Sequence, residues 1–316
     1  MSKHKDKELL KKRKKKKEDK KKRRKNLSEE IKVSLPHKFS LLENYEIVLS
    51  FINSLLKRVS HKTKVLTLNM MDIKSMDVAA LIYTKIILRL LKKGNKNLEL
   101  RGYYPSNHKI KDFLIRSGIS IGEEEKLSIF KIRDGKKVNT NLIPEVIKDL
   151  ENENIKISLA SQKALYSILL ELMDNTEQHA YPDSTKENNW YFYLQPQEEK
   201  IKFVFLDSGE GITETIRKQN FSLSINNLEK VSLANTFDDS TILRMALAGY
   251  RVSATRKSNR NKGLPNIFNR SQLEEIKNLK IISRKAVFNF NNDLDLIEEL
   301  KGTLFYWEVD IIWCMI

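Results

Sequence analysis

Leu170-Glu171-Leu172-Met173-Asp174-Asn175-Thr176-Glu177-Gln178-His179-Ala180 is the stretch that decides how this chain is read. Just upstream and into it, Leu165, Ile168, Leu169 and Leu172 recur at i, i+3, i+4 and i+7. That spacing predicts a helix over 160–180 with one apolar stripe turned to a core. On such a helix Glu171 and Asn175 lie on one side, about one turn apart. A carboxylate there can take a proton from a nucleophile, and a carboxamide oxygen is a hard ligand suited to Mg²⁺. By themselves the two residues fit an ordinary polar helix face equally well.

Downstream, a strand-like run at 201–206 closes on Asp207-Ser208-Gly209-Glu210-Gly211-Ile212. Glycines at 209 and 211 let the backbone turn sharply and approach a ligand without a side-chain clash. The same residues also make a plain turn after a strand. Lys262-Gly263-Leu264-Pro265 and Gly302-Thr303 follow in that order.

This ordered set resembles the GHKL ATPases: gyrase, a heat-shock chaperone, histidine kinases and MutL-type mismatch-repair proteins. The resemblance covers residues 155–316 and implies an α/β sandwich of the Bergerat type, a mixed sheet with helices on one face, that binds ATP and Mg²⁺. It implies Glu171 as general base and Asn175 as metal ligand. Asp207 would accept from the adenine amino group, flanked by Gly209, Gly211 and Ile212, with Thr303 in support. Arg256 and Lys262 would supply charge to the phosphates beside Gly263 and Leu264, within a lid. His179, one turn beyond Asn175, would reach toward the phosphates or simply pack. Asn261 stands where many members of the family carry a second glycine, so the phosphate box is thinner here than usual.

The first half has a different pattern. Residues 45–56 carry Tyr45, Val48, Leu49, Ile52, Leu55 and Leu56 on one helical stripe. Strands are expected at 65–70 and 98–103. A strongly apolar helix is expected over 76–91, closed by Lys92, Lys93 and Gly94, with a short helix at 110–117. Strand–helix alternation of this kind predicts a small α/β domain over 27–140. It resembles STAS domains through Thr67-Leu68-Asn69, Met76-Asp77-Val78-Ala79-Ala80-Leu81 and Leu114-Ile115-Arg116-Ser117-Gly118-Ile119. The resemblance implies a regulatory module with a protein partner. Val78 occupies the place where regulatory members carry a phosphorylated Ser or Thr. Asp77 is expected to cap the helix instead.

The chain's net charge is +17, and residues 1–25 hold 16 Lys or Arg against 4 Asp or Glu, a net of +12. That leaves +5 for the rest, so the folded part, 27–140 followed by 141–316, is only mildly basic. The 1–26 tail has too few apolar residues to offset the entropy of ordering and is expected to be disordered. It is read either as a contact for the phosphate backbone of nucleic acid or as a solubilising tail. No aromatic residue interrupts the run, so base stacking is not indicated. The single cysteine, Cys314, excludes an intramolecular disulfide and a cysteine-rich zinc site. Neither a signal-peptide core nor a bilayer-length apolar run is visible, and a cytoplasmic protein is expected.

These readings point to a Mg²⁺-dependent ATP-binding protein, an ATPase or nucleotide-gated switch, with a fused STAS-like module. The rivals are an anti-sigma-type serine/threonine kinase acting on another protein, and a non-catalytic nucleotide-bound adaptor with a nucleic-acid-binding tail. No histidine is followed by the acidic residue expected of a phosphoacceptor on a dimerisation helix, which argues against a sensor histidine kinase. Oligomeric state is left open.

Overall fold

A computed structural model of the chain describes residues 29–116, 132–179, 189–218, 222–224, 230–232, 237–249, 263–290 and 292–312. The basic tail lies outside the described residues. The described residues form an α/β structure.

The N-terminal half runs β1 (Glu30–Ser34), β2 (Lys38–Phe39), α1 (Tyr45–Arg58), β3 (Val65–Asn69), β4 (Ser75–Met76), α2 (Val78–Gly94), β5 (Glu99–Tyr103) and α3 (His108–Arg116). Strands β1, β3 and β5 form a parallel sheet in that order, and β2 pairs with β4. Strand β1 was not expected from sequence. Helix α2 starts at Val78, two residues later than the expected 76, because Asp77 caps it and accepts from Ala80 N at 2.7 Å. Asp77 also accepts from Ser40 Oγ at 2.5 Å and Leu42 N at 2.8 Å, which ties the 40–42 turn to the helix start. The hydroxyl of Thr84 is buried and donates to Ala80 O at 2.7 Å.

The C-terminal half runs β6 (Arg133–Gly135), α4 (Leu142–Asn152), α5 (Leu159–His179), β7 (Trp190–Gln197), β8 (Lys200–Asp207), α6 (Ile212–Lys218), β9 (Ser222–Ser224), β10 (Lys230–Ser232), α7 (Asp239–Leu247), α8 (Gly263–Gln272), β11 (Lys277–Ser283), β12 (Ala286–Asn289), β13 (Leu294–Asp295) and β14 (Thr303–Asp310). Among the described residues, seven strands form one sheet in the order β13-β12-β11-β14-β8-β7-β6. Every pairing in it is antiparallel, where a mixed sheet was expected. Strand β6 joins this sheet although it precedes residue 140 in the chain. Pro196 lies inside β7. It sits beyond the stretch that β6 covers, so its missing N–H breaks no ladder on that side.

Both faces of the large sheet are buried, and strict alternation assigns each side chain to a face. Trp190, Phe192, Leu194, Phe203, Phe205, Ile281, Phe288, Phe305 and Trp307 form one core with Leu165, Ile168, Leu169 and Leu172 of α5. Tyr191, Tyr193, Val204, Leu206, Ile282, Val287, Leu304 and Tyr306 share the other core with the N-terminal half. Helix α2 packs on β8, which explains its composition. From Val78 to Leu88 almost every side chain is buried, as a helix enclosed on all sides requires.

Candidate functional site

Helix α5 carries Glu171 and Asn175 to the start of α8. Leu165, Ile168 and Leu169 are fully buried and Leu172 nearly so, which holds the helix on the sheet. Both Glu171 and Asn175 are partly exposed on its flank. Gly263 is the first residue of α8, and Pro265 stands in the first turn, where a missing N–H costs nothing. Asn266 Nδ2 donates to Ser167 Oγ at 2.7 Å and fastens α8 to α5. A Cβ on Gly263 would come within 2.5 Å of Glu171 Oε2 and 3.4 Å of Asn175 Nδ2. Gly263 thus meets two residues of α5 that lie far from it in sequence. Desolvation, and after it the charge of Asp174, raises the Glu171 carboxyl above the ordinary carboxylate range.

The second group gathers around Asp207, the last residue of β8. Asp207 faces Thr303 across the β8–β14 ladder and Trp190 across the β7–β8 ladder. Its Oδ1 accepts from Gly209 N at 2.8 Å, and the carboxylate also accepts from the Thr303 side chain and backbone. Desolvation outweighs these hydrogen bonds and pushes the Asp207 carboxyl up to about 6. Gly302 has φ +95°, and a Cβ there would overlap the backbone carbonyl of Asp207. Gly211, at φ +89°, lets the chain turn into α6, whose first residue is Ile212.

Ser283, at the end of β11, completes this group. Its side chain is fully buried. Its Oγ accepts from Ile212 N at 2.7 Å and lies 3.4 Å from Thr303 Oγ1. One hydroxyl therefore joins the glycine-rich turn to the residue that bonds Asp207. Sequence reading missed it, since a Ser after Ile281-Ile282 reads only as a strand end.

Ile212 and Leu264, both partly buried, pack on the same core as α5 and draw the two groups to the α5 face of the sheet. His179 is the last residue of α5, and its side chain lies outside the described residues. So do Arg256 and Lys262, and with them the expected lid.

Chemically, the first group offers a carboxylate and a carboxamide beside a helix N-terminus, and the second a carboxylate acceptor held by a threonine. Among the described residues no three His, Cys, Asp or Glu side chains converge as a self-sufficient metal cage. The Asn175 carboxamide offers a single hard oxygen donor, of the kind Mg²⁺ takes when most of its ligands come from phosphates and water. No helix among the described residues is long and apolar enough to cross a membrane.

No protein-family model and no curated protein matches the chain. Among solved structures it is similar to the mycobacterial sensor histidine kinase MprB, at 12% identity over 58% of this chain and 97% of that one, with a TM-score of 0.27. It is also similar to the catalytic domain of histidine kinase ThkA, at 13% identity over 57% of this chain and 95% of that one, with a TM-score of 0.24. Similarity at this level assigns neither a family nor an activity to the chain.

Proposed function

We propose that the C-terminal half binds ATP with Mg²⁺ in a GHKL-type site and hydrolyses it, and that the N-terminal half is a STAS-like regulatory module. One observation carries the reading. Four elements scattered between residues 171 and 303 meet as two groups, Gly263 on Glu171 and Asn175, and Gly302-Thr303 on Asp207.

Asp207 accepts from the adenine amino group, and the Thr303 hydroxyl holds the carboxylate in place. The backbone at Gly263, at the N-terminus of α8, presents amides to the phosphates. Asn175 would hold Mg²⁺ through its carboxamide oxygen, and the ion when bound neutralises charge on the phosphates. Glu171 takes the proton of the attacking water. Its raised carboxyl is the better base for being closer to neutral pH.

Incubation of the full chain with γ-labelled ATP tests the reading. Free labelled phosphate accumulating with time is the expected result. Label transferred to an added protein would favour the serine/threonine kinase instead. Neither ATP binding nor turnover would overturn the proposal.

A further inference from the structure

The loop that delivers Gly302 and Thr303 to Asp207 is held from the N-terminal half. Residues 296–302 connect β13 to β14. Leu296 and Leu300 are buried in the core shared with that half. Glu46 of α1 accepts from Ile297 N at 2.6 Å and from Glu298 N at 3.1 Å. Asn53 of α1 donates from Nδ2 to Glu298 Oε2 at 2.8 Å and to Glu299 O at 3.1 Å. Tyr83 of α2, 1% exposed, accepts from Lys301 N at 3.0 Å. The next residue is Gly302, whose backbone rests on that of Asp207.

We propose that Tyr83, with Glu46 and Asn53 behind it, is a positioning residue for the base-binding side of the nucleotide site; the inference rests on the nucleotide-binding reading above. Glycine at 302 contributes no side chain that could anchor its own peptide. Thr303 is held from one side by its pairing with Asp207 and Ser283, so the place of Gly302 is set between that ladder and the residues before it, whose last tie is the Lys301 amide on the Tyr83 hydroxyl. Arg284 adds a second brace. It pairs with Glu299 at 3.1 Å and with Glu214 of α6, so the loop and the helix after the glycine-rich turn move together. By linkage, a nucleotide that tightens Asp207 and Thr303 also tightens the docking of α1 and α2, to the same degree in each direction. The phosphate side is built on α5 and α8, which pack on the core of the other face of the sheet.

Tyr83→Phe keeps the buried ring and removes only the hydroxyl. Titration calorimetry of the full chain with MgATP is expected to show about five-fold weaker binding, the worth of one ordinary hydrogen bond. Inorganic tripolyphosphate, which has no base, is expected to compete equally well against both proteins. A merely structural role would weaken both ligands alike, and that result overturns the inference. Equal ATP affinity in the variant and the unaltered chain also overturns it and leaves the nucleotide site standing. An unaltered chain that binds no ATP removes the proposed function and this inference together. Should Tyr83→Phe fail to fold, Glu46→Ala, at a partly exposed position of α1 that holds the same loop, gives the same comparison, and each result carries the same meaning.

Discussion

Gly263 leaves room for the Glu171 carboxylate: a Cβ at 263 would lie 2.5 Å from Glu171 Oε2 and 3.3 Å from its Cδ. The atoms met are the tip of a flexible side chain, so a methyl group would move the carboxylate and leave the backbone where it is. Gly263→Ala is therefore expected to keep the fold, with stability unchanged or raised by up to about 1 kcal/mol, since alanine suits a helix better than glycine. Turnover is expected to fall. Glu171→Gln sets the scale, with a loss of about 10²–10⁴-fold at intact ATP binding. Phosphate release and thermal melts on both variants check this. Full turnover in Gly263→Ala would detach α8 from the chemistry.

The raised carboxyl of Asp207 gives a pH signature. Its value in the fold is about 6, above the ordinary 3.8. The folded state then holds this proton more tightly than the unfolded state, so the group's contribution to stability falls as pH rises from about 4 to about 6. Ligand binding runs the other way, because only the carboxylate is free to accept from an adenine amino group at all its lone pairs. Adenosine, which has no phosphate to titrate, is expected to bind about ten-fold more weakly at pH 5 than at pH 7. Asp207→Asn is expected to bind weakly at both. It is also expected to be the more stable protein above pH 6, with the difference vanishing below pH 4. Ligand-observed NMR and denaturant titrations at the two pH values read these out. An adenosine affinity flat across that range would separate Asp207 from base recognition.

Ser283→Ala leaves Ile212 N–H, at the start of α6, without its acceptor and Thr303 without its neighbour. An orphaned amide of this kind costs about 1–3 kcal/mol. Urea denaturation is expected to show that loss, accompanied by weaker ATP binding from a loosened turn at 209–212. A variant as stable as the unaltered chain would mean that water replaces the hydroxyl and that Ser283 positions nothing.

These residues also show how far the sequence could be read. The α5 stripe was legible because a helix enclosed on one side must repeat its apolar residues every three to four positions, and Leu165, Ile168, Leu169 and Leu172 do so and are buried. Asp77 as a helix cap was legible for the same local reason. Beyond the β7–β8 hairpin, whose two strands adjoin in sequence, strand pairing was not, because which strands lie side by side depends on residues far apart in sequence. The wholly antiparallel sheet and the facing of Asp207 by Thr303 could not be read from local pattern. Tyr191 to Leu194 and Phe203 to Leu206 are continuous apolar runs, which indicate a sheet covered on both faces but not what covers it. The cover on one face turned out to be α2, whose Tyr83 looks in the sequence like one more apolar-helix residue. Ser283 was equally silent, since its role depends on Ile212 and Thr303 arriving from other elements.

Gly302 should behave in the opposite way to Gly263. Its φ of +95° is one that side chains rarely adopt, and a Cβ would meet the Asp207 carbonyl oxygen and carbon and the Ser208 Cα, all backbone atoms that cannot rotate aside. Alanine in a left-handed conformation alone costs about 1–2 kcal/mol. The overlap with β8 adds to that, and backbone strain of this type belongs to the short list of large single-residue effects. Gly302→Ala is expected to lose about 3 kcal/mol or more of stability in urea denaturation, together with ATP binding, because Thr303 can no longer close on Asp207. The comparison between the two glycines is sharper than either variant alone. One methyl should remove activity and spare the fold, and the other should remove both. A denaturation midpoint for Gly302→Ala equal to that of the unaltered chain would mean that the loop from 296 to 303 does not press on Asp207, and the positioning route through Tyr83 would lose its last link.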